Sequence, residues 1–201
     1  ETPVAADSPA VALLRASGAV FVGKTTTPEF GWAGVTHSPR TGITRNPWNP
    51  AKTSGGSSGG AGVAAALGMG ALHLGTDGGG SIRMPSSMCG IFGLKPTTGR
   101  IPYHPGSAML SCSALGPMVR TVGDAALMMD VAAKSDARDW FGISAPAPSH
   151  RDGLEIGARG LRIAYSPTLF GAHPNAEIAA AVARVAKFYD KLGAQVSDVG
   201  D

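Results

Sequence analysis

The 201-residue chain is poor in charge, aromatics and cysteine: charged residues make up 15%, aromatics 6%, and Cys89 and Cys112 are the two cysteines. Two cysteines give no disulfide framework, and no His/Cys/Asp cluster has metal-ligand spacing. They fit a reducing compartment, so a cytoplasmic protein is expected. Basic residues are scattered, never adjacent, and the formal net charge is only +3. A nucleic-acid binder concentrates its basic residues on one face, so that class is disfavoured. No apolar run reaches the length of a membrane span. There is no S-x-x-K pair, which removes the penicillin-binding type of Ser/Lys site.

Glycine is what the chain does have. Eleven of its 29 glycines fall between Gly55 and Gly80. The stretch opens with S-G-G-S-S-G-G (Ser54 to Gly60), continues through a mostly apolar segment, and closes with G-T-D-G-G-G-S-I-R (Gly75 to Arg83). A plain Gly/Ser linker would not enclose helix formers such as Ala64, Ala65, Ala66 and Leu67. Gly78, Gly79 and Gly80 before Ser81 can turn several N–H groups toward one point, a nest suited to an oxyanion. Ser81 then stands where a nucleophile belongs, and Ser57 and Ser58 occupy a second Gly-rich turn.

Two motif matches fail on context. Gly18 to Thr25, G-A-V-F-V-G-K-T, has phosphate-loop spacing. Its variable residues, however, read as a strand, Ala19 to Val22, and a helix precedes them. Ser57 and Ser58 each satisfy G-x-S-x-G, the pattern of an α/β-hydrolase esterase, but R-N-P-W-N-P-A-K-T before them is not a central strand.

The two Gly-rich turns, with R-M-P-S-S-M-C-G-I-F-G-L-K-P-T after the second, resemble the amidase signature family. The likeness extends to V-G-K-T-T-T-P-E-F-G-W, R-N-P-W-N-P and L-G-P-M-V-R-T-V-G-D-A-A. It implies an amide hydrolase acting through a Ser, a second Ser on a cis peptide, and a Lys. By resemblance Ser81 is the acylated nucleophile and Ser57 the bridging Ser. Gly78, Gly79 and Gly80 form the oxyanion hole, and Asp77, Arg83 and Ser58 support it. No cofactor is implied, and the partner is a small-molecule amide. Nucleic acid enters only if the chain serves a tRNA amidotransferase; no membrane is expected, and a homo-oligomer is possible. The family's Lys lies upstream in a strand ending Lys-Asp, a pair this chain lacks. A non-catalytic amidase-like subunit is the alternative from another class.

The resemblance and the alternation of helices with short apolar strands imply an α/β fold: a mixed sheet flanked by helices, an incomplete α/β/α sandwich. The chain reads as part of one amidase domain cut at both ends. Its signature core covers about 18–133, a connector 134–160, and a further strand–helix unit 161–201. Expected helices cover 9–17, 60–70, 121–133 and 175–192, with a turn or short helix at 82–88. Expected strands cover 19–22, 71–74, 91–95 and 161–165, with another beginning near the end. Thr121 and Asp124 have capping-box-like spacing, and Leu127, Met128 and Val131 form the expected apolar face of that helix. Residues 25–54 and 102–113 read as loops. Trp32 and Trp48 are expected to pin the first of these to the core, and His104 to be solvated.

Overall fold

The computed structural model describes residues 5–168 and 171–200. The chain divides into two compact units, Glu1–Asp152 and Gly153–Asp201.

In the first unit, helix α1 (Pro9–Ala16) begins with Pro at its first turn, where the missing N–H costs no bond. Ser8 precedes it, but its side chain makes no capping hydrogen bond. A two-residue hairpin, β1 (His37–Ser38) with β2 (Gly42–Ile43), lies inside the expected long loop. Helix α2 (Gly59–Ala66) leads into β3 (Leu72–Asp77). Helix α3 (Arg83–Cys89), β4 (Phe92–Gly93), β5 (Ala114–Val119) and α4 (Val122–Ala132) follow. The main sheet has the order β3-β5-β4, with both pairings antiparallel.

Strand β5 is central, and all six of its residues are buried. Successive side chains of a strand point to opposite faces. Leu115 accordingly packs with Ala10, Met129 and Ala132 of α1 and α4, while Met118 packs with Ala61 of α2 and with Ile82. The sheet therefore has helices on both faces, as a mixed α/β fold requires.

Three expectations need correcting. Residues 19–22 form no strand: Val20 and Val22 are 88% and 86% exposed. β-branched composition alone does not make a strand, which exists only where another strand satisfies its backbone groups. The buried face of α4 is Ala125, Met128, Met129 and Ala132, whereas Leu127 is exposed. Small alanines beside Met128 and Met129 let that helix approach the sheet closely, while Leu127 turns outward. Trp32 is 72% exposed and pins nothing by burial; Trp48 tethers its loop differently, donating its indole N–H to the Cys89 carbonyl at 2.7 Å.

The expected cap of α4 is present. Thr121 Oγ1 accepts the Asp124 N–H at 3.1 Å and donates to the Asp124 carboxylate at 2.7 Å. Thr121→Ala is expected to destabilise the protein by about 1 kcal/mol. A denaturant melt of the variant beside the parent checks this.

The second unit pairs β6 (Arg162–Tyr165) in parallel with β7 (Gln195–Asp198) across helix α5 (Ala176–Lys191). Asn175 caps α5 by accepting the Glu177 N–H.

Candidate active site

The site grows from two turns that flank α2 and β3. The first precedes α2. Its Gly56–Ser57 peptide is cis, as the resemblance implies, and Ser57 is buried. Gly56 has no room for a side chain: a Cβ there would lie 2.6 Å from the backbone of Val35. Thr36, only 1% exposed, holds the turn from outside it. Its hydroxyl lies 2.9 Å from the Gly55 carbonyl and 3.2 Å from that of Ser57, and it accepts the Gly59 N–H at 3.1 Å. A buried hydroxyl with both its donor and acceptor capacity used fixes the local backbone.

Ser58 belongs to the same turn but has a different task. Its hydroxyl donates to the Thr76 carbonyl at 3.3 Å and accepts the Thr76 N–H at 3.2 Å, tying the start of α2 to β3. Its own N–H donates to the carbonyl of Ser81 at 3.2 Å. That backbone bond brings the turn carrying Ser57 against the turn carrying Ser81.

The second turn follows β3 and is organised by Asp77, which is fully buried. One carboxylate oxygen accepts the Gly80 N–H at 2.7 Å and an Arg83 guanidinium N–H at 2.9 Å. The other accepts the Ile82 and Arg83 backbone N–H groups and the Arg83 Nε–H, at 3.0 to 3.2 Å. Burial alone would raise the Asp77 pKa. The Arg83 side chain and the N–H groups of Arg83, Gly80 and Ile82 outweigh it and hold the pKa at about 2.

Asp77 thereby uses the Gly80 N–H. Among the described residues, the N–H groups of Gly78, Gly79 and Ser81 have no acceptor. Gly80 has φ +120°, a conformation that side chains rarely adopt, and this reversal delivers Ser81, which is half-buried.

The other motif residues take structural roles. Gly18 ends α1 with φ +90°, and Lys24 is exposed in irregular chain, so a phosphate loop is absent there. No strand leads directly into Ser57 or Ser58, so neither sits on a hydrolase elbow. None of the six lysines is buried; Lys95, after β4, is half-buried. Thr36 escaped sequence reading, being one threonine in an unpatterned loop. So did Gly31, whose Cβ position lies 3.5 Å from Ser57 Oγ.

The sequence matches the profile of the Amidase family over residues 1–200. The chain belongs to the Amidase family. It is 42% identical over 186 residues to an acylamidase of Rhodococcus erythropolis, covering 92% of this chain and 39% of that protein. It is 41% identical over 196 residues to a glutamyl-tRNA(Gln) amidotransferase component of Syntrophobacter fumaroxidans, covering 96% and 40%. Among solved structures, a 6-aminohexanoate cyclic dimer hydrolase complexed with substrate superposes with a TM-score of 0.89 at 34% identity, covering 96% of this chain and 41% of that one. This chain thus spans about two fifths of the length of the relatives it matches. No helix among the described residues is long and apolar enough to cross a membrane.

Proposed function

We propose that the intact protein hydrolyses a carboxamide C–N bond through an acyl-enzyme on Ser81. The bond from the Ser58 N–H to the Ser81 carbonyl carries this reading, because it holds the two serine turns together. Ser81 Oγ attacks the amide carbon. Its proton passes to Ser57 Oγ, whose own proton moves to a lysine. A hydroxyl suits that relay because it donates and accepts at once. A serine needs such help, being a weak nucleophile until a base takes its proton.

The oxyanion of the tetrahedral intermediate faces the free N–H groups of Gly78, Gly79 and Ser81. Collapse breaks the C–N bond, and the amine or ammonia leaves with the proton returned through Ser57. Water then cleaves the acyl ester. The base is a lysine outside residues 1–201, since a general-base lysine needs a pKa lowered by burial or a neighbouring cation, and no lysine here is buried. Residues 1–201 form part of one amidase domain in this reading.

A fluorophosphonate tests the assignment of the nucleophile. Incubated with the intact protein and mapped by mass spectrometry, it is expected to label Ser81. An adduct on Ser57 or Ser58, with Ser81 unmodified, overturns the assignment.

The likeness to a tRNA amidotransferase component supports one narrower version, in which the amide is glutamine and the ammonia passes to a partner-bound tRNA. Glutaminase activity that rises when a partner protein is added would select it over a free-standing amidase. A non-catalytic role is disfavoured, because Ser57, Ser81 and the Gly78–Gly80 triplet are all intact.

A further inference from the structure

Beside the second turn lies a cavity of about 270 Å³ whose lining includes Tyr103, Ser107, Leu110, Ser113, Trp140 and Phe141. One of its lining residues, Ser113, abuts the candidate oxyanion loop. A Cβ at Gly78 would fall on the Met109 thioether and 3.1 Å from Ser113 Oγ. Ser113 Oγ donates to Ser107 Oγ at 2.7 Å, and Ser107 Oγ accepts the Met109 N–H at 3.1 Å. The segment closing the cavity is therefore stitched to the residue that abuts Gly78.

The cavity's two charged side chains, Arg138 and Asp139, are already engaged. Arg138 lines it, but its guanidinium makes two bonds to Asp136, at 2.8 and 2.9 Å. Asp139 also lines it, and its carboxylate accepts the backbone N–H groups of Tyr103 and Phe141. What remains open is aromatic and aliphatic surface with two serine hydroxyls and the exposed His104 imidazole. The volume is below that of a pocket enclosing a whole drug-sized ligand and suits one group of a ligand.

We infer that this cavity is the specificity subsite of the amidase, receiving a neutral aryl group of one or two rings carried by the amide substrate. The inference rests on the proposed amide hydrolysis at Ser81. Trp140, 95% exposed, stands at the rim, where its face is available for stacking. Gly106 lines the same space, and a Cβ there meets nothing within 4 Å. Gly106→Phe is therefore accommodated at its Cβ and is expected to reach into the cavity, while Trp140→Ala removes part of its wall.

The test measures kcat/KM of the full-length protein and of each variant on acetamide, acetanilide and benzamide. Gly106→Phe and Trp140→Ala are expected to lower the ratio of aryl to acetamide turnover about tenfold or more for acetanilide or for benzamide. Whichever amide responds shows whether the cavity takes the amine or the acyl side. Unchanged ratios for both, or an equal loss on all three amides, overturn the inference. If the parent protein turns over none of them, the hydrolase reading fails on these amides. Calorimetric binding of benzamide and acetanilide to the Ser81→Ala protein then decides the subsite: weaker binding in the Gly106→Phe background supports it, and equal binding overturns it.

Discussion

Ser81→Ala in the full-length protein is expected to lower amide turnover about 10⁴-fold or more while leaving thermal unfolding nearly unchanged. Ser81 is half-buried, and it is its carbonyl, which the substitution keeps, that accepts the Ser58 N–H. The variant should therefore retain both turns and lose only the nucleophile. Ser57→Ala removes the proposed relay rather than the proposed attacking atom, so it is also expected to be severely impaired. Groups that act as one unit are not additive. The double variant should consequently be little worse than Ser81→Ala alone, and initial rates of all three proteins on one amide check this. Lys95→Ala belongs in the same series: near-parental turnover is expected, and a loss as deep as that of Ser81→Ala would place the base on this chain.

The second turn was legible because glycine crowding has few uses other than tight or close-packed backbone. G-G-G-S announced both the reversal at Gly80 and the delivery of Ser81. Which N–H groups remain free was not legible. Asp77 takes the Gly80 N–H through a contact three residues away, which residue spacing does not show. Helix α4 could be found from its cap at Thr121, which acts locally. Strand β5 could not, because Gly116 and Pro117 interrupt its pattern, and Pro is a poor resident of a central strand. The structure accommodates it because β4 pairs only with Met118 and Val119, while the Pro117 carbonyl still accepts the Leu94 N–H. The false strand at 19–22 is the converse case. Val20 and Val22 have the right composition, but pairing is a tertiary property that composition does not contain.

Asp77→Ala is expected to destabilise the protein by about 3–5 kcal/mol, because it strands several donors at once. The Gly80, Ile82 and Arg83 N–H groups and the Arg83 guanidinium all lose their acceptor. The Arg83 side chain is 57% exposed and recovers water, so the cost falls mainly on the backbone. Asp77→Asn should not rescue it, since its NH2 would face N–H groups that are themselves donors. Both variants should also lose turnover, because Asp77 shapes the turn presenting Ser81. The pH dependence follows from the sign of the shift. The folded carboxyl titrates at about 2, below the usual value near 3.9. Its contribution, about 2 kcal/mol, is fully present above the unfolded value and is lost as pH falls from about 4 toward 2. Thermal melts of the parent between pH 7 and 2 should show this acid loss, and Asp77→Asn, already less stable at pH 7, should show less of it. Parent and variant melts that fall in parallel across that range would mean that the carboxylate of Asp77 is not what holds the turn.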